Sequence, residues 1–192
     1  MSDQAIHIAL VRHGQSTANR AGHVLGRQLS PDLTALGRAQ ARAAAGRLRD
    51  FNADSLWSSD MVRALRTAQF IALATGRPVS STVLLREQDH GAMDGMDAVE
   101  LAAEPTPPGR DITEIRWGGG ESIADVYARV RHFMMVLAAR RLRRVIVVGH
   151  SDMLCVASSM LAGRGHRQIV WDRFSHGEVR YAAWDGVRAL PS

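Results

Sequence analysis

Ile6-His7-Ile8-Ala9-Leu10-Val11, followed by Arg12-His13-Gly14, is a short, mainly apolar run that stops at two polar side chains and a glycine. A run of this length bounded by a turn residue reads as a buried strand entering a turn. The same design recurs late in the chain, where Val145 to Val148 ends at Gly149-His150-Ser151-Asp152. A helix to about Ala162 follows, with Gly163 as its stop. Working outward from these two runs, Thr34 can cap a helix through Arg49. Its small face of Gly37, Ala41, Ala44, Ala45 and Leu48 permits close packing on a sheet. A short strand around Leu56 and Trp57 leads into a helix from about Met61 to Thr75, closed by Gly76 and Pro78, and Val79 to Leu85 reads as another strand.

From Ala98 to Gly120 the pattern breaks, because Pro105, Pro107, Pro108 and the run Gly118-Gly119-Gly120 forbid a long regular element. Ser122 and Asp125 then form a capping-box variant ahead of a helix whose Ile123, Val126, Val130, Phe133, Met134 and Leu137 recur at three and four residues. The tail from Val179 to Leu190 turns at Asp185-Gly186, a hairpin signal. Strands alternating with helices predict a three-layer α/β/α fold with a mostly parallel central sheet. In such sheets ligands sit outside the carboxyl ends of the strands, so His13 and His150 are expected on one rim.

The chain has 192 residues, enough for one domain over 1–192 with a short variable segment at about 90–120. The first apolar run, Ile6 to Val11, is too short for a secretion signal, so the expectation is a cytoplasmic protein with no membrane partner. Cys155 is the single cysteine and has no disulfide or thiolate-metal partner. The net charge is +5, and all 24 basic residues are arginine. That bias reads either as a surface that attracts anions, or as the codon usage of a genome rich in G and C. The densest cluster, Arg140, Arg141, Arg143 and Arg144, has no interleaved aromatic and sits at a helix end, where cations meet the dipole favourably. A nucleic-acid partner is therefore not expected, and a homodimer is left open.

Chemistry gathers around the two rim histidines. A metal reading is poor, because Arg12 repels a cation and no HExxH-type spacing supplies further ligands. An anion reading fits. Arginine and histidine around one point make a pocket for a phosphate dianion, and helix amino termini after Ser16 or Ser151 add backbone donors.

The stretch Leu10 to Thr17, LVRHGQST, resembles the signature of the histidine phosphatase (phosphoglycerate mutase-like) superfamily. Four further blocks are similar in order: Ser59 to Ala68, Glu87 to Gly95, Gly119 to Ser122 and Val147 to His150. The chain departs from the family at Asp94, Met93, Gly149 and Ser151, where glutamate, an aromatic, serine and glycine are usual. The resemblance implies a phosphoglycerate mutase-like fold and a metal-independent phosphatase without a cofactor, acting on a small-molecule phosphate ester. It implies His13 as nucleophile, Arg12, Arg63 and His150 as a phosphate clamp, and Glu87 as proton donor, with Asp89 and Asp94 as nearby acids. Gln15, Ser16, Asn19 and Ser151 fall at secondary phosphate contacts.

Elementary chemistry points the same way. His13 must offer a neutral lone pair to attack phosphorus, and neighbouring cations oppose its protonation while stabilising the transition state. A carboxyl group facing a phosphate dianion should be raised in pKa, so Glu87 can stay protonated near neutral pH. A mutase of this family must retain a bisphosphorylated intermediate, and the lysine that cofactor-dependent mutases resembling this chain contribute is absent. Hydrolysis is therefore favoured over mutase transfer, and over a non-catalytic anion-binding module. Arg110, Arg116 and Trp117 are candidates for the leaving-group side.

Overall fold

The computed structural model describes residues 5–97, 99, 106–140 and 142–185. Among these residues five strands form one sheet: β1 (Ile6–Arg12), β2 (Ser55–Ser59), β3 (Val79–Thr82), β4 (Arg144–Gly149) and β5 (Val179–Trp184). Their spatial order is β3-β2-β4-β1-β5. The first four are mutually parallel, and β5 runs antiparallel to β1, with Val11 facing Val179. Among the described residues five α-helices accompany them: α1 (Thr17–Ala21), α2 (Ala35–Leu48), α3 (Val62–Thr75), α4 (Ile123–Ala139) and α5 (Ser151–Leu161).

Successive side chains of a strand point to opposite faces, and this alternation divides the core in two. Ile6, Ile8 and Leu10 of β1 with Val145 and Val147 of β4 pack against Val126, Val130, Phe133 and Leu137 of α4 and Leu154 and Ala157 of α5. Ala9, Val11, Ile146 and Val148 point the other way, onto Ala44 and Leu48 of α2 and Ala64, Ala68 and Ile71 of α3. The result is the expected three-layer arrangement, with β1 and β4 buried on both faces. None of the described helices is long and apolar enough to cross a membrane.

The capping signals act as read. Thr34 Oγ1 accepts from Gly37 N at 3.0 Å, and Ser122 and Asp125 close a reciprocal capping box at the start of α4. The strand expected over Val79 to Leu85 is a correction. Pairing ends at Thr82, and Val83–Leu85 form a 3-10 turn because Thr82 Oγ1 accepts from Leu84 N at 3.2 Å, turning the chain so that Leu85 is buried. The Ala98–Gly120 segment contains, among its described residues, 3-10 turns at Ile112–Glu114 and Trp117–Gly119. The hairpin expected at Asp185-Gly186 runs into residues outside those described, as do Pro105 and Arg141.

The small face of α2 has a specific use. A Cβ on Gly37 would lie 2.0 Å from the carbonyl oxygen of Gln15, and one on Gly14 would lie 2.2 Å from that of Gly37. Helix and turn are thus in backbone contact, fixing the loop that follows His13. Gly37→Ala is expected to cost about 1–3 kcal/mol, the usual penalty of overpacking, read as a lower urea midpoint. An unchanged midpoint would show that the contact is not tight.

Candidate active site

Because β1, β2, β3 and β4 are parallel, their carboxyl ends share one rim, and residues just past those ends become neighbours. Around the rim stand Asp60 and Arg63 after β2, His150 after β4, and Arg12 and His13 at β1; Glu87 follows β3 in the chain, but its carboxylate lies at the amino end of α5, accepting from Asp152 N at 3.4 Å and Met153 N at 3.2 Å. The rings of His13 and His150 are 5.0 Å apart between centroids. Both side chains are buried, as is Arg63, which is only 1 % exposed although it lies in a helix. A solvated-face role for Arg63 is therefore excluded. Its Nη1 donates to Gln28 O at 2.7 Å and its Nη2 to Gly26 O at 3.4 Å. Arg12 Nη1 donates to Phe174 O.

His13 Nδ1 lies 2.7 Å from its neighbour's carbonyl, Gly14 O. A carbonyl only accepts, so this contact assigns the proton to Nδ1 and leaves the lone pair on Nε2. Burial first, then the charges of Arg63 and Arg12, hold His13 well below its ordinary pKa of 6.5, although the Gly14 bond acts the other way. His150 is lowered in the same manner by burial, Arg63 and His13. Two neutral imidazoles thus share the rim with two guanidinium groups. The charge balance follows from placing cations where only neutral rings can be desolvated.

Glu87 behaves oppositely. Its pKa is raised from 4.5 to about 7 by burial first and by the neighbouring charge of Asp152 second. Bonds from Gln88 N at 3.1 Å and Met153 N at 3.2 Å restrain the rise. The direction is the one expected from sequence, but its causes lie in the protein. Asp152, at the amino end of α5, entered the sequence reading only as a turn residue. The alternative acids are committed elsewhere: Asp94 accepts from Arg27 N at 2.7 Å and His90 N at 3.3 Å, and Asp89 accepts from Gly91 N at 2.9 Å. Glu121 is a hub, taking Arg27 at 2.8 Å and Arg129 at 3.0 Å, so the pre-helix block braces the segment that carries Glu87.

The secondary candidates divide. Ser151 is buried and its hydroxyl has no hydrogen-bond partner among the described residues. Gln15 Oε1 instead accepts from Thr34 Oγ1 at 2.9 Å, and Ser16 and Asn19 are tied to each other in the capping box of α1. Arg116 is exposed and paired with Asp125 at 2.7 Å. Sequence reasoning missed His176, whose ring centroid lies 5.6 Å from that of His13. An antiparallel strand begins where parallel ones end, so the residues just before β5 reach the same rim. Only the pairing of β5 with β1 could have signalled it.

Among the described residues, buried polar atoms without a hydrogen-bond partner concentrate here: Nε of Arg12 and Arg63, both ring nitrogens of His150, Ser151 Oγ and His176 Nε2. Each such atom costs about 1–3 kcal/mol if never satisfied. Their convergence, with two guanidinium groups, suits an anion rich in acceptor oxygens. Among the described residues, no three His, Cys, Asp or Glu side chains are grouped to hold a metal ion.

A sheet rim with a free imidazole lone pair, two arginines and a protonatable carboxyl defines a phosphoryl-transfer class of site. Residues 8–187 match the model of the histidine phosphatase superfamily, branch 1. The chain belongs to that family. It is 34% identical over 169 residues to a glucosyl-3-phosphoglycerate phosphatase of Mycolicibacterium vanbaalenii, covering 81% of this chain and 74% of that one. It is 33% identical over 159 residues to a 2,3-bisphosphoglycerate-dependent phosphoglycerate mutase of Methylocella silvestris, covering 77% of each. A solved mycobacterial glucosyl-3-phosphoglycerate phosphatase in complex with VO3 superposes with a TM-score of 0.82 at 29% identity, covering 92% of this chain and 90% of that one.

Proposed function

We propose that this protein hydrolyses small phosphomonoesters through a phosphohistidine on His13. The observation that carries the proposal is the convergence on one rim of the His13 and His150 rings, 5.0 Å apart, with buried Arg63 and buried Glu87, where the same surroundings lower the imidazole of His13 and raise the carboxyl of Glu87. Such pairs mark a base or nucleophile and an acid. In the first half-reaction His13 Nε2 attacks phosphorus, the ester P–O bond breaks, and the leaving oxygen takes the proton of Glu87. Arg12, Arg63 and His150 hold the equatorial oxygens, where positioning and charge do most of the catalysis. Nδ1–H keeps its bond to Gly14 O while the ring becomes cationic. In the second half, Glu87 takes a proton from water, the water oxygen attacks phosphorus, and the P–N bond breaks to free phosphate and neutral His13.

Ser151 donates to the phosphate through its hydroxyl. Ser16 orients Asn19, whose amide N–H serves with Gln15 at the edge of the anion. The relatives carry both phosphatase and mutase names at similar identity, so a further feature separates the two fates. A mutase needs free cations to retain a second phosphate. Here Arg27, Arg116 and Arg129 are held by Glu121 and Asp125, and the sequence has no lysine. Water is then the acceptor. A panel of phosphomonoesters assayed in EDTA tests the reading; interconversion of 2- and 3-phosphoglycerate faster than any hydrolysis would reverse it.

The pH dependence follows from the signs. Glu87 must be protonated in the first half-reaction, so turnover of alkyl phosphates is expected to fall as pH rises through about 7. The acid limb, set by protonation of His13, is expected below its ordinary 6.5. Glu87→Gln should lower kcat/KM for an alkyl phosphate by about 10²–10⁴, with a smaller loss for a nitrophenyl ester whose anion leaves unprotonated. Equal losses on both esters would remove Glu87 from the acid role.

A further inference from the structure

The turn before β5 is built more tightly than a connecting loop requires. Phe174 is buried at 1 % exposure, its carbonyl accepts from Arg12, and its ring lies 4.0 Å under the Arg180 guanidinium. Glu178 closes the turn from below: Oε2 accepts from Ser175 N at 2.6 Å and Oε1 from Arg180 Nε at 2.6 Å. Gly177 N donates to the carbonyls of both Arg12 at 3.1 Å and His13 at 3.3 Å. The turn therefore rests on the backbone of the nucleophile itself, and His176 at its tip is held with its ring 5.6 Å from that of His13. Its Nε2 is buried and has no hydrogen-bond partner among the described residues.

We propose that His176 is a third imidazole of the phosphoryl site, donating Nε2–H to an oxygen of the phosphoryl group that His13 accepts. The proposal rests on the phosphohistidine reading. The two sides of β1 fix its role: β5 flanks β1 on the side away from β4, whereas the Glu87 carboxylate accepts from Met153 N at 3.2 Å at the amino end of α5, which follows β4. His176 and Glu87 thus stand on opposite flanks of His13, so His176 meets a phosphoryl oxygen rather than the leaving oxygen that Glu87 serves. Burial and the charge of Arg12 lower its pKa to about 4, which keeps it a neutral donor that does not add a proton to the pocket. A neutral N–H facing a dianion also avoids the burial cost of a further cation beside Arg12.

The test compares His176→Ala, His176→Phe and His176→Gln with the wild-type protein, using inhibition by orthovanadate and inorganic phosphate together with kcat/KM for p-nitrophenyl phosphate. Phenylalanine keeps the ring volume without a donor, and glutamine restores a donor without the ring. Loss of one hydrogen bond to a charged group corresponds to about ten- to a hundredfold. That weakening of both inhibitors is expected for the alanine and phenylalanine variants, with glutamine recovering a large part. Wild-type inhibition in all three variants overturns the proposal. So does a phenylalanine variant that matches wild type while alanine does not, since that assigns a packing role. A wild-type protein that hydrolyses no ester and binds no vanadate sinks the phosphohistidine reading and this proposal with it, whereas an active wild type matched by its variants sinks this one alone.

Discussion

His13→Ala is expected to lower kcat/KM for every phosphomonoester by at least about 10⁴, because the variant has no group that can accept the phosphoryl from a bound ester. The fold should survive. His13 is a neutral, buried ring that hydrogen-bonds to the adjacent Gly14 carbonyl, so its removal disconnects no distant element. The measurement is steady-state hydrolysis beside a thermal unfolding curve. Retained hydrolysis in a folded variant would move the nucleophile elsewhere.

Arg63 carries the second large effect. Its guanidinium is buried, is the leading charge acting on both His13 and His150, and has its own pKa lowered to about 10, so it remains a cation throughout the working range. Arg63→Met is expected to cut kcat/KM by about 10³–10⁵, the range for an arginine that neutralises a phosphoryl transition state. The stability cost should be smaller, about 1–3 kcal/mol, from the carbonyls of Gln28 and Gly26 left without their donor. Lysine should not rescue, since a single ammonium cannot reach both carbonyls and an oxygen of the substrate in the plane of a guanidinium fork. Urea titration and kinetics on the same preparation separate the two costs. Activity within tenfold of wild type would show that Arg63 is structural.

These outcomes depend on residues that were unequally visible in the sequence. His13 and His150 were legible because each ends an apolar run, and parallel strands bring their carboxyl ends to one side. The face pattern of α4 and its cap were legible because periodicity and the Ser122–Asp125 spacing are local signals. Arg63 and Glu87 were visible only through resemblance: a helical arginine and one of three close acids carry no local mark of burial. Asp152 and Glu121 act on Glu87 and on its segment from across the fold, so their contribution is tertiary. His176 was hidden by strand direction, since the same residue before a parallel strand would have pointed to the opposite rim. At Val83 a single hydroxyl, that of Thr82, overrode an apolar run that otherwise reads as strand.

The central claim is a covalent one, and the enzyme quenched during turnover of a phosphomonoester tests it directly. Intact-mass and peptide mass spectrometry should find a phosphoryl adduct on the peptide containing His13, lost in alkaline hydroxylamine-free buffer more slowly than in acid, and absent from His13→Ala. An adduct on another residue, or rapid hydrolysis by wild type with oxygen exchange that bypasses any phosphorylated protein, would contradict the account.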